Sequence, residues 1–246
     1  LIVLRVRGWG GPQSAPASGT MGDMPTTRTP FQAVIFDLDG TLADSEIVWH
    51  EVRAEMAADE GVPMPESATP AMMGMATLEW GAYMADVLGF EGTAQEVADR
   101  VIARMKDRYL TGRIPLLPGA RESVLRMAEL GPVGIASSSP LVLIEAGMEE
   151  LRITDVINAH VSTEQVERGK PAPDGYLRCA ELLGVDPTRC MAVEDSSNGI
   201  RSALAAGMAV VCVPPAFHPP TPELLAQCTV LTGLDELTEE LLQGIA

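Results

Sequence analysis

Short apolar runs recur along this chain, and most are followed by a segment of helical period. From Pro118-Gly119 onward the alternation is regular. A helix to Leu130 precedes the run Val133 to Ala136. Pro140 opens the next helix, and Val156 to Val161 is the next strand-like run. Pro173 opens a helix that ends at Gly184. Met191 to Val193 and Ala209 to Val213 flank a helix from Ser196 to Ala206, closed by Gly207. Proline in a first turn and glycine past a last turn set these boundaries. An earlier run, Ala33 to Phe36, supplies the first strand. Alternating strand and helix predicts an α/β fold, a parallel sheet with helices on both faces. Ligands in such sheets bind beyond the carboxyl ends of the strands.

One block breaks the alternation. No strand-like run occurs between Ser45 and Pro115. Ser45 is placed to cap a helix running to Glu60, with Val48, Val52 and Met56 on one stripe and Gly61 and Pro63 ending it. Thr77 opens a second helix, with Trp80, Met84, Val87 and Leu88 facing inward and Gly89 stopping it. Thr93-Ala94-Gln95-Glu96 reads as a capping box. It opens a third helix whose stripe is Val97, Val101 and Met105. Residues 45–115 therefore read as an inserted helical domain, and residues 31–44 and 116–246 as the α/β core. Residues 1–30, rich in Gly, Pro, Ser and Thr, read as a disordered leader. Met21 and Met24, just before the first strand, are candidate starts of the native protein.

Composition excludes several classes. A formal net charge of −17 argues against binding a nucleic-acid backbone or an anionic membrane. No apolar run approaches a membrane span. Cys179, Cys190, Cys212 and Cys228 lack CxxC spacing and read as reduced core residues of a cytoplasmic protein. Nothing in the chain requires more than a monomer.

The strand ends carry the chemistry. The first strand runs into Phe36-Asp37-Leu38-Asp39-Gly40-Thr41-Leu42, two carboxylates one residue apart with a glycine to turn the backbone. Ser137, Ser138 and Ser139 follow the second strand. Gly169-Lys170-Pro171 follows the third, and Glu194-Asp195 the fourth. Packing explains none of these residue types. Carboxylates at a strand end favour a divalent cation, and oxygen ligands suit Mg²⁺. The cation, the Lys170 ammonium, a serine hydroxyl and the backbone N–H groups around Thr41 and Ser138 would together hold a phosphate. A carboxylate nucleophile, a second acid and a metal are the parts for phosphoryl transfer through an aspartyl-phosphate.

The ordered set Asp37-x-Asp39-Gly-Thr-Leu, Ser137, Lys170 and Glu194-Asp195 resembles the four motifs of the haloacid dehalogenase superfamily. Asp44-Ser45-Glu46, Gly169-Lys170-Pro171-Ala172-Pro173-Asp174 and Glu194-Asp195-Ser196-Ser197-Asn198-Gly199-Ile200 are similar to the branch holding β-phosphoglucomutase and many small metabolite phosphatases. The resemblance covers about residues 31–215. It implies a Rossmann-like core with an α-helical cap domain between the first and second motifs. It also implies roles: Asp37 as nucleophile and metal ligand; Asp39 as general acid/base, with its backbone carbonyl on the metal; Ser137 and Lys170 on the phosphoryl group; and Glu194 and Asp195 completing a Mg²⁺ site.

The implied activity is a Mg²⁺-dependent phosphatase acting on a small phosphorylated metabolite. A dehalogenase lacks the second aspartate. A β-phosphoglucomutase-type mutase is the closer alternative. Members of that group resemble one another in a cap arginine and a histidine, where this chain has Thr77 and Trp49. A non-catalytic phosphometabolite-binding protein is a third reading. The uncharged segment Pro70 to Thr77, with Met72, Met73 and Met75, suits either a neutral substrate moiety or the cap's own core.

Overall fold

The computed structural model describes residues 30–72, 75–216 and 219–245. Strand β1 (Ala33–Phe36) lies between β2 (Val133–Ser137) and β4 (Cys190–Glu194). Beyond β2 is β3 (Ile157–Ser162); beyond β4 are β5 (Ala209–Cys212) and β6 (Thr229–Val230). The order β3-β2-β1-β4-β5-β6 is parallel throughout. The chain winds outward from β1 to β3, then returns to β4 and winds the other way. This reversal leaves a crevice at the carboxyl ends of β1, β2 and β4. Phe36 is level with both Ile135 and Val193, so these three strands deliver their following residues to one place.

Both faces of the sheet are covered, which is why its strands read as unbroken apolar runs. Val34 and Phe36 pack with α5 (Ala120–Leu130) and α6 (Leu141–Glu150) through Val124, Met127, Leu143 and Ile144. Ala33 and Ile35 point the other way. They pack with α7 (Asp174–Leu183) and α8 (Ser197–Ala205) through Tyr176, Cys179, Ile200 and Ala203. All four cysteines are free, and three are buried. Among the described residues, no helix is long and apolar enough to cross a membrane.

Between β1 and β2 lies a helical insertion, consistent with a cap: α1 (Glu46–Glu60), α2 (Ala68–Met72), α3 (Thr77–Ala82) and α4 (Ala94–Leu110). The expected stripes meet there, with Val48, Val52 and Met56 of α1 buried in one cluster with Val97, Val101 and Met105 of α4. Arg100–Glu60, Arg104–Asp59 and Arg108–Glu55 pairs flank that seam. The capping box is formed: the Thr93 hydroxyl accepts the Glu96 N–H at 3.3 Å, and Glu96 accepts the Thr93 N–H at 2.8 Å. Arg53 lies over the Trp49 and Trp80 rings, 5.0 and 5.1 Å from their centroids.

Several local expectations are corrected. Val87 is 64% exposed. The helix after Ala82 widens into a π turn over Tyr83–Leu88, which breaks the 3.6-residue period that would have turned Val87 inward. Ser45 precedes α1 but makes no capping bond, because its hydroxyl is engaged elsewhere. Pro140 stands at the N-cap of α6, one residue before the helix. Helix α2 and strand β6 had no sequence signal, being five and two residues long. Residues 1–29 of the leader, with Met21 and Met24, and also Met73, Gly74 and His218, lie outside the described residues.

Candidate active site

Asp37 stands one residue past β1, where its N–H still donates to the Val193 carbonyl at 2.9 Å. This bond holds it beside the end of β4. Glu194 is the last residue of β4, and Asp195 follows it. Lys170 arrives from the loop between β3 and α7. Its Nζ donates to Asp37 Oδ1 at 2.7 Å and to Glu194 Oε1 at 2.6 Å, with the lysine side chain 7% exposed. Glu194 is fully buried and saturated with donors: the Tyr176 hydroxyl at 2.8 Å, the Asp195 and Ser196 N–H groups and the Ser196 hydroxyl. Asp195 accepts from the Thr41 hydroxyl at 3.2 Å. One oxygen from each of Asp37, Glu194 and Asp195 lies within 4.8 Å of the others.

Two glycines let these carboxylates approach the backbone. A Cβ on Gly199 would lie 1.8 Å from Glu194 Oε1. One on Gly40, where φ is +79°, would lie 2.2 Å from Asp195 Oδ2. The space beside each glycine is already filled by a carboxylate.

Asp39 has different company. Just before Gly40 turns the chain, its carboxylate accepts from three hydroxyls: Ser45 at 2.5 Å, Ser139 at 2.7 Å and Ser137 at 3.2 Å. The Ser137 hydroxyl in turn accepts the Ser139 N–H at 3.0 Å. The Asp39 side chain is thus held by hydroxyls and not by Lys170. Asp37 joins the acidic triad, whereas hydroxyls from the start of α1, the end of β2 and the β2–α6 loop hold the Asp39 carboxylate.

The electrostatics of the two clusters differ accordingly. In the triad, three buried carboxylates face one ammonium. Burial pushes the Asp37 carboxyl up to about 7, against the pull of Lys170 and with the help of Glu194 and Asp39. Burial, then the Glu194 and Asp37 charges, push Asp195 up to about 9. Burial alone would lower Lys170, but Asp37 and Glu194 outweigh it and raise its proton affinity. Such a group of acids takes up protons unless a cation replaces them. The donor set is all oxygen, compact and short of positive charge, which fits a hard divalent ion.

The expected residues Asp37, Asp39, Thr41, Ser137, Lys170, Glu194 and Asp195 converge at the strand ends. Ser138 lies in the same loop with its side chain exposed. The hydroxyls of Thr41 and Ser137 are bonded to acids of the site. Sequence reasoning gave no site role to Ser45, Ser139 or Tyr176. The available signals were the Ser-Ser-Ser run for Ser139 and the Asp44-Ser45-Glu46 stretch for Ser45; nothing marked Tyr176.

A family model described as haloacid dehalogenase-like hydrolase matches residues 31–207. Hexitol phosphatase B of Escherichia coli K12 is 38% identical over 219 residues, covering 86% of this chain and 96% of that protein. Among solved structures, CbbY from Rhodobacter sphaeroides in complex with phosphate aligns with a TM-score of 0.75 at 23% identity, over 84% of this chain and 96% of its own. The β-phosphoglucomutase of Clostridium difficile aligns with a TM-score of 0.67 at 22% identity, over 87% and 96%. The two structures bear on the fold. The family match and the relative at 38% identity bear on the class of chemistry. On these grounds the chain belongs to the haloacid dehalogenase-like hydrolases, as an enzyme homologous to named phosphatases.

Proposed function

We propose that this enzyme hydrolyses a small phosphomonoester whose non-phosphate part is neutral, of the sugar or polyol phosphate class, through an aspartyl-phosphate on Asp37. The observation that carries this reading is the separation of the two aspartates. One lies in a buried, charged triad beside a lysine; the other is held by three neutral hydroxyls. Two titratable groups in contrasting environments suit two roles. Asp37 attacks phosphorus and the ester P–O bond breaks. Asp39 gives a proton to the leaving alkoxide, then takes one from the water that cleaves the acyl phosphate. Lys170 binds one oxygen of Asp37 and leaves the other for attack. The Ser137 hydroxyl, turned from Asp39 toward the ligand, and the backbone N–H groups around Thr41 and Ser138 are the neutral donors for phosphate oxygens. Asp37, Glu194, Asp195 and the Asp39 carbonyl would hold Mg²⁺, which when bound neutralises charge on the phosphoryl oxygens. Residues 45–115 act as the cap domain over a core of residues 31–44 and 116–246, in a cytoplasmic monomer.

The relative at 38% identity is named for hexitol phosphates, which supports the sugar and polyol class. Two contacts weigh against a mutase. Thr77 donates its hydroxyl to Glu164, and the Trp49 ring packs on Arg53 and Trp80. The Thr77 and Trp49 side chains themselves carry neither a cation nor a proton carrier for a second phosphate. Incubation with sorbitol 6-phosphate and with β-glucose 1-phosphate decides between the readings. Free phosphate should appear from the first, and little glucose 6-phosphate from the second. Efficient isomerisation, with hydrolysis negligible, would make the chain a mutase.

A further inference from the structure

A cavity of about 520 Å³ lies between the helical insertion and the α/β core. Its insertion wall includes Thr77 of α3 with Gln95 and Asp99 of α4; its core wall includes Pro140, Leu141 and Glu164. The core wall is tied to the Asp39 cluster through the chain and through hydrogen bonds. Pro140 directly follows Ser139, whose hydroxyl donates to Asp39. The Ser162 hydroxyl donates to the Ser139 carbonyl at 2.7 Å and accepts the Glu164 N–H at 3.2 Å, fixing Glu164 against the same loop. From the opposite wall the Thr77 hydroxyl donates to Glu164 Oε1 at 2.6 Å, across 87 residues of sequence. The Gln95 amide donates to Asp99 Oδ1 at 2.8 Å. The polar lining is thus a hydroxyl, an amide and two carboxylates, and no Lys, Arg or His is part of it.

We propose that this cavity receives the uncharged, polyhydroxylated end of the substrate, and that Glu164 and Asp99 set specificity by refusing a second anionic group there. The proposal rests on the phosphatase reading above and names where its selectivity lies. Carboxylates accept hydrogen bonds from substrate hydroxyls, and Thr77 occupies only one oxygen of Glu164. A second phosphate or a carboxylate would meet two like charges with no cation in the lining to offset them. Each such contact at about 4 Å costs about fivefold even at the dielectric of water.

Sorbitol 6-phosphate and 6-phosphogluconate form a matched pair, differing at the far carbon as CH₂OH against carboxylate. The wild-type enzyme should prefer the sorbitol ester by about tenfold or more in kcat/KM. Glu164→Gln should lower that ratio about fivefold, and the double variant with Asp99→Asn further, through a gain on 6-phosphogluconate. A gain on an anionic substrate is not a product of misfolding. A wild-type ratio near one, or an unchanged ratio in both variants, would overturn the proposal. So would a ratio that falls only because sorbitol 6-phosphate is lost. Hydrolysis of p-nitrophenyl phosphate with neither ester turned over would overturn the cavity assignment and leave the phosphatase reading standing. No hydrolysis of any of the three would overturn the phosphatase reading and the assignment with it.

Discussion

Asp37 and Asp39 are two residues apart in sequence, yet they have no hydrogen-bond partner in common: Lys170 on one, three serine hydroxyls on the other. That division predicts that Asp39→Asn loses proton transfer while keeping the acidic triad intact. Turnover should fall by ~10²–10⁴-fold, the usual worth of general acid–base catalysis. Calorimetric titration with Mg²⁺ should still give near-normal affinity; loss of Mg²⁺ binding by this variant would place its carboxylate in the metal site. The acids and Lys170 were legible in the sequence because nothing in packing calls for charge at the end of a buried strand. The contacts of Ser45 and Tyr176 were not, because a hydroxyl at a helix start or on a helix has many bland uses. Their meeting with Asp39 and Glu194 depends on tertiary approach. Gly199 was legible as part of a motif, but its reason, a carboxylate filling the space of its Cβ, needs three dimensions.

Among the elements, those with strong local signals lie where the sequence puts them. Thr93 and Glu96 form the reciprocal cap at the start of α4, and Gly61 and Gly184 close α1 and α7 in left-handed backbone at φ +68° and +69°. Thr93→Ala removes one side of that cap and should cost about 1 kcal/mol, read as a lower midpoint in urea with an unchanged slope. No change in midpoint would mean that tertiary packing alone sets the start of α4. Elements failed to show where local signal is thin. Two residues of β6 pair with β5 because that edge is free to accept a short strand, not because Thr229 and Val230 stand out. The π turn after Ala82 displaces Val87 from the buried stripe, and an ideal helical period cannot foresee it.

For the molecule as a whole, the metal-free site opposes folding at neutral pH. Asp37 and Asp195 are raised to about 7 and about 9 from an ordinary value of 3.8. Between pH 4 and 9 the folded chain therefore holds protons that the unfolded chain has released, so stability falls as pH rises through that window. Below it the sign reverses, since Asp186 and Glu96, both lowered by hydrogen bonds from Thr188 and Thr93, lose their contribution on protonation. Melting curves in chelator should decline from about pH 5 to pH 9, and Mg²⁺ should raise the melting temperature more at pH 8 than at pH 5, because its ligands must be deprotonated. A flat profile with no Mg²⁺ effect would mean that the triad does not titrate as a metal site. In the proposed mechanism Asp37, in that triad, performs Mg²⁺-dependent phosphoryl transfer. The most direct test is the rate of phosphate release from sorbitol 6-phosphate, measured across a Mg²⁺ titration and in excess EDTA, for the wild type and for Asp37→Asn. Mg²⁺ should activate saturably, the chelator should abolish activity and added Mg²⁺ restore it, and Asp37→Asn should show no turnover at any Mg²⁺ concentration. Full activity in EDTA, or turnover by Asp37→Asn near the wild-type rate, would contradict this mechanism.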